Sequence, residues 1–84
     1  MEKDVKVYYD GFGSIIIKSE NEILDELIEY LNSIYSDFVD YSYFKNNSYI
    51  ECWDKRKFIP KILDYCMKKD ITFKWSYFEE EVGE

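Results

Sequence analysis

Along this chain of 84 residues the period of the apolar side chains changes from two to about 3.6 and back again twice, and that alternation restricts the fold more than any other feature. Val5, Val7 and Tyr9 alternate with Lys6 and Tyr8, the pattern of a half-buried strand. Asp10-Gly11-Phe12-Gly13 supplies glycines for positive-φ turn positions. The β-branched run Ile15-Ile16-Ile17 within Ser14 to Lys18 suits a second strand, so a hairpin is predicted. Ser19 and Glu22 have the spacing of a capping box, in which the hydroxyl takes a free amide of the first helical turn and the carboxylate reaches back. The helix that follows carries Ile23, Leu24, Leu27, Ile28, Leu31, Ile34 and Tyr35 as one apolar stripe opposite its acids.

Phe38 to Phe44 and Ser48 to Trp53 are aromatic-rich runs joined across Lys45-Asn46-Asn47, and asparagine tolerates the left-handed positions of a tight turn. A two-residue Asn46-Asn47 loop sets a register. It pairs Tyr43 with Ile50 and Tyr41 with Cys52 on the core face, and Phe44 with Tyr49, Ser42 with Glu51 and Asp40 with Trp53 on the other. Phe58, Ile59, Ile62, Leu63, Cys66 and Met67 then return to helical spacing and end in Lys68-Lys69, cations suited to a helix C-terminus. Pro60 is compatible only with the first turn of that helix, which places the start within residues 55–59. Ile71, Phe73, Trp75 and Tyr77 alternate with Thr72, Lys74 and Ser76 as a last strand, and an acidic tail over 79–84 is expected to fray.

The predicted order is β-β-α-β-β-α-β. Neither helix can bury its stripe alone, so both must cover one face of an antiparallel-dominated sheet, an α+β two-layer sandwich. Without its first strand the order is the split βαβ arrangement of ferredoxin-like domains, the N-terminal strand being an added hairpin arm. A chain this short buries only about 60–65% of the surface it exposes unfolded, so residues 1–84 are expected to form one domain around one core.

Eighteen acids against eleven bases give a net charge of −7. From Ser19 to Phe44 there are seven acids (Glu20, Glu22, Asp25, Glu26, Glu29, Asp37 and Asp40) and no Lys or Arg, whereas 55–69 holds six bases against Asp64. A negative field of this kind disfavours direct contact with nucleic acid and favours basic proteins. Cys52 and Cys66 form no disulfide framework, the N-terminus is too charged for a leader, and no run is apolar enough for a membrane span, so a cytoplasmic location is expected.

Histidine is absent, which removes the commonest general base and most zinc sites. Both cysteines fall on predicted core faces, where a thiol is inert. Asp25 and Glu29, at i and i+4, are better read as a solvated helix face than as a proton-sharing or cation-binding pair. Gly11-Phe12-Gly13 precedes a strand rather than a helix and reads as a turn, not a phosphate loop. No catalytic residue, cofactor site or metal site is expected, and an enzyme is not.

The open sheet face is expected to carry Phe44, Tyr49 and Trp53, an arrangement that RNA-recognition modules use to stack bases. The basic, glycine-containing consensus of those modules is missing, and the net charge opposes a polyanion. Exposed aromatics beside carboxylates suit protein binding instead, the rings as anchors and the charge as a guide to encounter. In size, acidity and a composition suggestive of AT-rich coding, the chain resembles phage-encoded anti-CRISPR and anti-restriction proteins. That resemblance implies a small inhibitor that mimics nucleic-acid charge and blocks a nucleic-acid enzyme such as a CRISPR effector. The residues expected to meet the partner are Glu20, Glu22, Asp25, Glu26, Glu29, Asp37, Asp40, Phe44, Tyr49 and Trp53. An immunity protein or antitoxin facing a basic toxin, and a module that forms a homodimer through its sheet, are the alternatives.

Overall fold

The computed structural model describes residues 3–9, 13–36, 41–53 and 58–77. Its elements follow the order read from the periodicity: β1 (Asp4–Tyr9), β2 (Ser14–Lys18), α1 (Asn21–Ile34), β3 (Tyr41–Phe44), β4 (Tyr49–Trp53), α2 (Phe58–Lys68) and β5 (Thr72–Tyr77), with a short 3-10 turn at Lys45–Asn47. The predicted turn at Asp10 to Phe12, the partners Asp37 and Asp40, the bases Lys55 to Lys57 and the 79–84 tail lie outside the described residues.

The strands form one mixed sheet in the order β3-β4-β2-β1-β5. Three contacts, β1 with β2, β2 with β4 and β3 with β4, are antiparallel, and β1 with β5 is parallel. The predicted register of β3 on β4 holds, with Tyr41 opposite Cys52, Ser42 opposite Glu51, Tyr43 opposite Ile50 and Phe44 opposite Tyr49. The turn that closes it is longer than expected. The 3-10 turn ends at Ser48 in the left-handed region, φ 56°, and the Ser48 amide donates to the Lys45 carbonyl at 3.3 Å. The N-terminal strand also lies elsewhere than at the rim: β1 stands between β2 and β5, so the order departs from a four-stranded ferredoxin-like sheet. A strand enclosed on both sides needs an apolar inner face, and Val5 and Val7 are both fully buried.

α1 links the parallel strands β2 and β3 across β4, and α2 links β4 to β5 across two strands. Both helices pack on the sheet face that bears Val5, Val7, Ile15, Ile17, Ile50 and Cys52. From α1 come Ile23, Leu24, Leu27 and Leu31, and from α2 Phe58, Ile62, Tyr65 and Cys66. Tyr41 and Tyr43 of β3 and Phe73 of β5 flank the same cluster, so every element contributes to it. Each buried Leu or Ile is worth about 1.5–3 kcal/mol of transfer free energy, which makes this cluster the main source of stability.

The helix ends show what the local signals did and did not decide. Ser19 does not cap α1: Glu20 is the N-cap and makes no side-chain cap bond. Ser19 is drawn into the sheet end, its amide donating to the Ser48 carbonyl at 3.4 Å and its hydroxyl to the Asp4 carbonyl at 2.6 Å. The first turn of α1 is anchored by Asn21 instead. Its Nδ2 donates to the Lys45 carbonyl at 3.0 Å, and its own carbonyl accepts from the Tyr43 hydroxyl at 3.2 Å. α2 begins at Phe58 with Pro60 in its first turn, as proline requires. It ends at Asp70 in the left-handed region, φ 59°, with Ile71 donating to the Cys66 carbonyl at 2.8 Å in a Schellman-type stop.

Candidate binding faces

With the inner face of the sheet closed by helices, two surfaces carry the chemistry: the outer side of α1 and the open side of the sheet. On α1 the apolar stripe turns inward, which leaves Glu22, Asp25, Glu26 and Glu29 exposed, with Glu20 exposed just ahead of the first turn. Glu22 with Glu26 and Asp25 with Glu29 are like charges at i and i+4. Such pairs destabilise a helix by about 0.2–0.5 kcal/mol each. The helix has no basic residue in its last turn to offset them.

Two of these acids are partly committed to neighbours. Glu26 faces α2, where its Oε1 accepts from the Tyr65 hydroxyl at 2.7 Å and lies 3.8 Å from the Lys69 ammonium. Tyr65 is buried and its ring packs on Tyr30, centroids 5.7 Å apart. Burial first, and then the bond to Glu26 and its charge, push the Tyr65 hydroxyl upward from its ordinary range. Asp25 faces the other way, beside Tyr43. Burial and this carboxylate raise the Tyr43 hydroxyl to about 12. The acidic face therefore runs from the β3 flank to the α2 flank, with Glu20, Glu22 and Glu29 exposed to solvent.

The open side of the sheet is built by the residues that alternate with the core. Phe44 and Tyr49, paired across β3 and β4, stack with centroids 4.7 Å apart and an interplanar angle of 23°. Trp53 lies on the same side at the end of β4 and is 59% exposed. Its ring passes over Gly13, where a methyl group would sit 3.7 Å from it, and φ at Gly13 is +100°, a conformation that only glycine takes without strain. The predicted anchors Phe44, Tyr49 and Trp53 thus share the open face, on the opposite side of the molecule from the described acids of α1.

Sequence reasoning missed the other half of this face. The register sets Tyr49 beside Lys18, Lys18 beside Lys6 and Lys6 beside Lys74, so three lysines from β2, β1 and β5 extend the aromatic pair in one cross-strand row. In the next row Glu51, Ile16 and Tyr8 are neighbours. Lys18 lies 5.7 Å from the centroid of the Tyr8 ring, and Lys74 lies 3.5 Å from Asp4. The alternation of Lys6 and Tyr8 with Val5 and Val7 was visible, but the row needed the strand order.

Cys52 and Cys66 are buried and form no disulfide, and burial pushes the Cys66 thiol up to about 11, the wrong direction for a nucleophile. Among the described residues no three acidic or cysteine side chains meet as metal ligands, and no helix is long and apolar enough to cross a membrane. No protein-family model matches the chain, nor does any curated protein or any solved structure.

Proposed function

We propose that this chain is a small binding protein whose α1 face engages a basic partner protein in the cytoplasm, as a stoichiometric inhibitor of a nucleic-acid enzyme. The observation that supports this reading is the solvent-facing side of α1, where four carboxylates repel one another along a helix without a single Lys or Arg. Charge kept at a cost to the helix suits a partner of opposite sign, because complementary potentials speed encounter and fix register. We read the scaffold as a ferredoxin-like split βαβ core into which β1 is inserted between the first and last strands.

The test keeps Glu26, whose bond to Tyr65 is structural, and reverses the charges around it: Glu22→Lys, Asp25→Lys and Glu29→Lys. Wild type is immobilised, exposed to a bacterial lysate at low salt and eluted at high salt. A nucleic-acid enzyme retained by wild type and released about a hundredfold more readily from the variant is the expected result. Unchanged retention by the variant sinks the α1 reading, and recovery of a small basic toxin instead moves the same face to an immunity role.

A further inference from the structure

We propose a second binding site on the opposite side of the molecule: the open face of the sheet is a platform for single-stranded nucleic acid. Its geometry supplies the two things such a ligand needs, rings for the bases and cations for the phosphates. Phe44 and Tyr49 form a stacked corner, and Trp53, braced on Gly13, offers an exposed ring at the other end of β4. Beside them Lys18, Lys6 and Lys74 stand in register on three neighbouring strands. From Phe44 to Lys74 the row crosses all five strands, about 19 Å at the usual strand spacing of about 4.8 Å, room for a few nucleotides.

The lysine row itself favours an anionic ligand. Like charges directly opposite one another on paired strands are destabilising, and here three follow in succession. Asp4 relieves Lys74 and the Tyr8 ring relieves Lys18, while Lys6, at the centre, has no ion pair among the described residues. Two described acids flank the lysine row on this face, Asp4 in the row on one side and Glu51 in the row on the other. A strand of nucleic acid laid along the lysine row would offset the two repulsions between neighbouring lysines with three attractions and keep its bases over Tyr8, Tyr49 and Trp53.

The net charge of −7 does not forbid this, because the described acids of α1 and the three lysines lie on opposite sides of the sheet. The α1 carboxylates lie beyond the helix layer, in a molecule whose shortest extent is 25 Å, while the screening length is about 8 Å at physiological ionic strength. At that ionic strength a phosphate on the sheet feels the lysines and little of the helix. Duplexes are excluded by the same geometry, since their bases are already stacked on each other.

The probes are fluorescein-labelled oligouridylate and oligothymidylate of about ten nucleotides, titrated by anisotropy across about 50 to 200 mM salt. Both bind, within a few fold of each other, because neither stacking nor phosphate pairing uses the 2′-hydroxyl. The logarithm of the affinity falls against that of salt with a slope of about −2, as three phosphate contacts require. Trp53→Ala weakens binding about tenfold and Trp53→Tyr restores most of it. Lys6→Gln flattens the slope by about 0.7. The Glu22→Lys, Asp25→Lys, Glu29→Lys variant binds at least as well as wild type, so this site and the α1 reading fail independently. No binding at the lowest salt, equal competition by a duplex of the same length, a strict demand for one sugar, or affinity indifferent to Trp53→Ala and Lys6→Gln would each overturn the proposal.

Discussion

Tyr65 and Tyr43 show how single polar groups tie an acidic helix to its surroundings. Each hydroxyl emerges from the rim of the core beside a carboxylate of α1, Tyr65 donating to Glu26 across the helix pair and Tyr43 donating to Asn21 with Asp25 alongside. A neutral hydroxyl is what these positions accept, and the same holds for the buried Cys66 thiol. All three groups hold their protons more tightly folded than unfolded, so the native state binds more protons in the alkaline range and stability falls as pH rises. For Cys66 the contribution is whole below 9.0 and is lost toward about 11. For Tyr43 the window runs from 10.0 to about 12. Urea midpoints should therefore hold steady up to about pH 8.5 as far as these groups are concerned and decline steeply above it. Cys66→Ala should remove the earlier part of the decline while lowering stability throughout, through the lost packing of the thiol. Both cysteines were legible as core from spacing alone, since helix and strand periods agreed. The tyrosine bonds were not, because they join residues far apart in sequence.

At the scale of the elements, the periodic signals located the described helices and strands, and the differences lie at helix ends, in the β3–β4 turn and in the place of β1 within the sheet. The Ser19 and Glu22 spacing satisfied a capping rule, yet the serine hydroxyl found a better acceptor in Asp4, a residue that only the sheet brings within reach. The stop of α2 shows a different compromise. A left-handed residue ends the helix, and Asp70 occupies that position where glycine has no steric penalty. Asp70→Gly is expected to stabilise the protein by about 0.5–1 kcal/mol, less the backbone entropy that glycine adds to the unfolded chain. A urea melt at neutral pH measures it, and a loss of stability would show that the Asp70 side chain holds its turn by some bond of its own. The β3 and β4 register was readable because inward and outward residues alternate without interruption. Its turn was not, since a 3-10 turn and a tight hairpin give the same pairing beyond Phe44 and Tyr49.

For the molecule as a whole, the sum of charge says less than its placement. Seven acids between Ser19 and Phe44 announced a negative surface, and the described ones of α1 do lie on one. The lysines of β1, β2 and β5 are scattered in sequence and gather only through the order β3-β4-β2-β1-β5. Alternation assigns a residue to a face but says nothing of which strands are neighbours, so the aromatic half of the open face was legible and the cationic half was not. The position of β1 has a consequence for how the chain comes to exist. Its parallel partner begins at Thr72, far along the chain from Asp4, so a polypeptide leaving the ribosome holds β1 with one edge bare until β5 has emerged. A chain stopped before Thr72 should give no cooperative thermal transition by circular dichroism, because β1 and α2 both lose the strand they rest against. Strands so distant in sequence that must meet make β5 a condition of folding: a fragment released before β5 is made exposes an apolar edge for proteases to find, and the sheet closes on β1 only when β5 arrives.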